Sequence, residues 1–131
     1  MIGLDTNLLV RYLAQDDLRQ SAIATEVFEV RLTAQQPGFV SVVAMAETVW
    51  VLDRAYRLEA DRIAGAIERM LQADTLVVEH EPEVFAAMTA LRDGQGDFAD
   101  ALIGALSAAA GCTSILTFDR RALRLPGFAL P

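Results

Sequence analysis

The chain has 131 residues, the size of one domain, and at that length folding buries roughly two thirds of the surface an unfolded chain exposes. Its 18 acidic and 11 basic residues leave a formal charge of −7, which argues against broad electrostatic adhesion to nucleic acid. Every basic residue is arginine, so P-loop, Schiff-base and lysine-assisted aspartyl-phosphate chemistry are excluded, whereas arginines and a bound cation still permit a phosphodiester substrate.

Residues 1–4 form a short apolar run that ends in Asp5-Thr6-Asn7, after which Leu8, Leu9, Tyr12 and Leu13 recur at helical spacing. This reads as a strand, a polar turn and a helix start. A second helix is expected over residues 18–33, with Ile23, Val27, Phe28 and Val30 on its apolar face and Gln35-Gln36-Pro37-Gly38 as its stop. Phe39-Val40 supplies a brief strand, and Ser41 is a good N-cap for a helix running to about Tyr56.

Residues 61–72 give an amphipathic helix and residues 75–78 a strand. His80 sits in a polar turn before a helix that Pro82 opens and the glycine-rich stretch 93–96 ends. Residues 97–110 read as an alanine-rich helix stopped by Gly111. Cys112, placed between an apolar helix and an apolar strand, is expected to be a buried thiol, and one cysteine with one histidine excludes a conventional zinc site. Residues 114–117 form a strand, 120–125 a short basic turn and 128–130 an edge strand. Mostly unbroken apolar strands alternating with helices imply an α/β domain, residues 1–131, built on a parallel sheet covered on both faces.

Four acidic residues, Asp5, Glu47, Asp100 and Asp119, stand out against this frame, with Asp97 a possible fifth. Asp5 and Asp119 follow strand ends, where open α/β sheets place their sites. Either one can instead cap the helix or turn that follows it. Glu47 shares a helix face with Val43, Trp50 and Val51, an apolar stripe expected to be buried. A carboxylate there needs a cation, an opening to water or an arginine such as Arg11 or Arg54. Asp97 and Asp100 open the alanine-rich helix, with Asp97 the natural N-cap and Asp100 nearly a turn inside. If the fold gathers these acids, a hard divalent cation with oxygen ligands relieves their repulsion. Arg120, Arg121 and Arg124 read equally as a solvated basic face or as phosphate contacts.

Asp5-Thr6-Asn7-Leu8-Leu9, Ser41-Val42-Val43 leading to Glu47, Asp97-Phe98-Ala99-Asp100-Ala101-Leu102-Ile103 and Leu116-Thr117-Phe118-Asp119 occur in that order. Together they resemble the PIN-domain nucleases, most closely the VapC-type toxins of bacterial toxin–antitoxin pairs, over nearly the whole chain. The resemblance implies a three-layer α/β/α sandwich around a central parallel sheet, and usually a homodimer. It implies Mg²⁺ or Mn²⁺ held by Asp5, Glu47 and Asp100, with Asp119 as the fourth acid, Asp97 as its competitor, and Thr6 and Asn7 orienting the ligands. It also implies an RNA substrate and an antitoxin partner received in an apolar groove using the second and third helices. A noncatalytic binding module and a DNA nuclease of the same fold remain as alternatives.

The apolar fraction of 53% and mean hydropathy of +0.32 are high for a soluble chain and leave apolar surface for such a partner. No apolar run approaches the roughly 18 residues of a membrane span. No basic and apolar leader with a cleavage site opens the chain, so a cytoplasmic location is expected.

Overall fold

A computed structural model describes residues 1–131 and divides them into two compact units, Met1–Glu79 and His80–Pro131. In the first unit β1 (Ile2–Gly3), β2 (Gly38–Val40) and β3 (Leu76–Val78) form a parallel sheet in that order. Ile2 pairs with Gly38 and Gly38 with Leu76. Leu4 extends the ladder by donating its N–H to the Phe39 carbonyl at 2.9 Å. Gly38 is a strand residue rather than part of a helix stop. A Cβ there would lie 2.6 Å from Leu4 Cδ1 and 2.9 Å from Leu32 Cδ1, so only glycine lets these leucines close over the sheet.

The helices of this unit are α1 (Thr6–Ala14), α2 (Leu18–Glu26), α3 (Val42–Arg54) and α4 (Ala60–Gln72). α1 packs against both α2 and α3. Leu9, Met45, Leu52, Ile63 and Ile67 are buried, each at a helical position that recurs on the inward stripe of its element. The single helix expected over residues 18–33 instead changes pitch. After α2, residues Val27–Arg31 form a π-helical turn closed by the Leu32 N–H on the Val27 carbonyl at 2.9 Å. The expected apolar face is not the buried one: Ile23 and Val30 are exposed, and Ser21 and Ala24 are the buried residues of α2. Small side chains there allow close approach to α1, and the Ser21 hydroxyl donates to the Arg11 carbonyl at 2.9 Å.

Phe28, on the wide turn, stacks on Tyr12 of α1 with ring centroids 4.2 Å apart and planes 11° from parallel. These two rings help line a cleft of about 170 Å³ together with Leu13, Met70, Arg69 and Thr75. A polar clasp also ties the helices. Tyr56, just past α3, donates its hydroxyl proton to Asp16 Oδ2 at 2.6 Å, and Arg11 reaches Asp16, Tyr56 and Gln20. The Tyr56 hydrogen bond holds the Asp16 carboxyl below its usual range, and the same bond raises the Tyr56 phenol.

In the second unit α5 (Glu81–Arg92) packs against α6 (Phe98–Ala109). Val84, Ala87, Met88, Ala90, Phe98, Ala101 and Leu102 are its buried side chains on these helices. β4 (Ile115–Leu116) and β5 (Phe128–Ala129) pair in parallel as a separate two-stranded sheet, so the strands form two sheets rather than one ladder. The 3₁₀ turn Arg120–Arg124 lies between them, with Ala122 buried. Cys112 is exposed, contrary to the expectation of a buried thiol, because the chain leaves α6 through a solvated turn over residues 110–114. His80 occupies the N-cap position of α5 in the left-handed region, φ 53°, a turn role as expected. No helix is long and apolar enough to cross a membrane.

Candidate functional site

Asp5 takes the N-cap position of α1, with φ −90° and ψ 159°, and its backbone carbonyl accepts from the N–H groups of Leu8 and Leu9 at 3.1 and 3.2 Å. Its carboxylate makes no capping bond. The side chain is therefore exposed at a strand end and uncommitted, beside helix N–H groups that favour negative charge. Thr6, next in the chain, is 5% exposed, whereas Asn7 is exposed. A buried neighbour fixes the backbone that carries Asp5.

Glu47 lies on α3, whose start is held twice. Ser41 Oγ accepts the Ala44 N–H at 3.1 Å, and Glu79 Oε1 accepts the Val42 N–H at 2.9 Å. The face shared by Val43, Glu47 and Trp50 is correct, but its expected burial is not: Glu47 is exposed, with Val43 73% and Trp50 59% exposed. The buried stripe of α3 is instead Ala44, Met45, Thr48, Val49 and Leu52, centred about 160° round the helix from that face. Neither arginine considered as a partner serves Glu47. Arg11 belongs to the Asp16–Tyr56 clasp and Arg54 lies 3.7 Å from Asp53. Glu47 is thus a solvated carboxylate rather than a buried charge in need of rescue.

In the second unit Asp97 caps α6, its Oδ1 accepting the Asp100 N–H at 2.7 Å. Asp119 caps the 3₁₀ turn, its Oδ1 accepting the Arg121 N–H at 2.9 Å, with Arg121 Nε 3.8 Å away. The Thr117 hydroxyl accepts the Asp119 N–H at 3.0 Å. Asp100, partly buried, is pushed above its ordinary pKa by burial first and then by the negative charges of Asp97 and Asp119, which Arg121 partly offsets. These three acids are therefore near enough to feel one another. Arg120, Arg121 and Arg124 are exposed.

Each unit gathers part of the expected set: Asp5 and Glu47 in the first, Asp97, Asp100 and Asp119 in the second. Within neither unit do three or more His, Cys, Asp or Glu side chains stand in an arrangement that holds an ion by itself. The donor chemistry nevertheless suits a hard dication. Every donor is a carboxylate oxygen, and the charge of Arg121 only partly offsets the burial and acidic neighbours that disfavour the ionised form of Asp100. Sequence reasoning missed Glu79. The available signal was its place directly after an apolar strand, the same position that singled out Asp5.

The parallel strands and six helices conform to the α/β/α class inferred from the residues. No solved structure matches the chain significantly. Among curated proteins, the "VapC ribonuclease" of Aquifex aeolicus (strain VF5) is 26% identical over 122 residues, covering 93% of this chain and 90% of that protein. The family model described as "PIN domain" matches residues 2–127. The chain belongs to the PIN domain family.

Proposed function

We propose that the chain is a metal-dependent endoribonuclease, the toxin of a toxin–antitoxin pair, and that residues 1–131 act as one domain. The observation that carries this reading is that Asp5 and Asp100, at two of the family-like motifs, keep their carboxylates out of capping bonds while Asp97 and Asp119 spend theirs on caps. Family membership and the likeness to a VapC ribonuclease support it.

Asp5, Glu47 and Asp100 would hold Mg²⁺ or Mn²⁺. Asp119 is the fourth acid, with Asp97 its alternative, and either retains a second carboxylate oxygen beyond its cap. When bound, the ion supplies Lewis acidity, a lowered water pKa and positive charge against the phosphoryl oxygens. Glu47, solvated on α3, accepts the proton of the attacking water. That water adds to phosphorus in line as the bond to the 3′ oxygen breaks, and the leaving oxygen takes a proton, giving a 5′ phosphate and a 3′ hydroxyl. Thr6 and Asn7 hold the Asp5 backbone in place, and Arg120, Arg121 and Arg124 are available to phosphates of the substrate. A cognate antitoxin would cover exposed apolar side chains such as Ile23 of α2 and Val43 of α3, or the cleft beside Tyr12 and Phe28.

Purified chain freed of bound protein should cleave RNA with Mn²⁺ and stop with EDTA. Asp5→Ala and Asp100→Ala should each lower kcat at least about a hundredfold, the scale of removing a group that stabilises developing charge. Equal cleavage by the double variant would defeat the assignment. One other reading is a noncatalytic protein-binding module, because neither unit by itself sets three acids in an arrangement that holds an ion. Under that reading, millimolar Mn²⁺ leaves the melting temperature unchanged.

A further inference from the structure

The exposed stripe of α3 carries Val43, Glu47, Trp50 and Arg54. At 100° per residue these four fall within an arc of about 60°, and neighbours three or four apart have Cβ atoms roughly 5–6 Å apart. Trp50 is the chain's one tryptophan and is 59% exposed, one turn from the candidate hydrolytic acid. Arg54 lies one turn beyond it, and its pairing with Asp53 at 3.7 Å is between two exposed side chains, which leaves the guanidinium available.

A protein partner and an RNA base both suit an exposed indole, and the charges decide between them. Protein interfaces are enriched in Trp and Arg but depleted of acidic side chains, and Trp50 stands one turn from the Glu47 carboxylate. An aromatic plane beside a guanidinium is how proteins hold single-stranded nucleic acid, the ring taking a base and the cation the backbone. The overall charge of −7 makes such local contacts more necessary, because the protein's long-range field repels the substrate.

We propose that Trp50 is a substrate-binding residue, stacking on an unpaired base next to the phosphate that Glu47 serves, with Arg54 on the adjoining phosphate. This rests on the ribonuclease reading of Glu47. It confines the substrate to RNA that is single-stranded or looped at the cut, since a paired base does not present its face.

The test uses the full chain and two readouts. In Glu47→Gln protein, which should bind without cutting, a single-stranded oligoribonucleotide should quench Trp50 fluorescence, and a fully paired RNA duplex should leave it unchanged. In otherwise wild-type protein, Trp50→Ala should raise KM about five- to 150-fold with little change in kcat, the range that one stacked base supplies. Trp50→Phe should recover most of that loss, and it also controls for folding. Cleavage by Trp50→Ala with wild-type KM, or fluorescence that follows protein dilution rather than added RNA, would overturn the stacking role alone. Failure of the wild-type chain to cut any RNA with Mn²⁺ would overturn the ribonuclease reading and this proposal with it.

Discussion

Asp100 shows what a carboxylate costs when its neighbours are acids. Its folded pKa lies above that of the unfolded chain, so the folded state binds more protons in the window above about pH 4. Stability therefore falls as pH rises through that window, and the full penalty persists above the folded pKa. Asp100→Asn removes it. The variant should melt higher than wild type at neutral pH without metal and equal to it near pH 3, as followed by circular dichroism. Under the proposed function, Mn²⁺ should raise the melting temperature of the wild type and not that of the variant. Asp16 has the opposite sign. Its depressed pKa gives stability that is present at neutral pH and lost as acid protonates it.

Among the elements, α3 is the one whose placement matters most, because it carries both Glu47 and Trp50. Its start has two caps from different parts of the chain, Ser41 locally and Glu79 from the end of β3. Ser41→Ala should cost about 1 kcal/mol. Glu79→Ala leaves the Val42 N–H without its acceptor and should cost about 1–3 kcal/mol, whereas Glu79→Gln keeps an acceptor oxygen and should lose less. Because both bonds fix one helix end, the costs should not add in the double variant, and urea titration of the four proteins measures the coupling. The Ser41 cap was legible because a side chain three residues from its N–H partner is a local signal. The Glu79 cap was not, since 37 residues separate it from Val42. The same distinction explains the rest. Element types followed from periodicity and capping residues. The inward stripe of α3 did not, because both Val43-Glu47-Trp50 and Met45-Val49-Leu52 repeat at helical spacing, and only packing against α1 and α4 selects the second. Likewise, Asp5 and Asp119 occupy the same kind of site in sequence, and only the hydrogen bonds distinguish an uncommitted carboxylate from one engaged in a cap.

At the scale of the whole molecule, 11 arginines and no lysine set against 18 acids mean that affinity for an anionic substrate has to come from placed contacts rather than from the field. The division of the strands into two sheets has a separate consequence, for the order in which the chain acquires structure. Ile2 must find Gly38 and Gly38 must find Leu76, while Ile115 needs only Phe128. Closing the shorter loop costs about 1 kcal/mol less conformational entropy than closing either long one. The second unit is built from neighbours in sequence, α5 on α6 and β4 beside β5. Pulsed hydrogen exchange during refolding should find the amides of Ile115 and Thr117, bonded to the carbonyls of Gly127 and Ala129, protected before that of Gly38, bonded to Thr75. The smaller sheet would then be the early-folding part of the chain, and the one bearing Asp5 the late part.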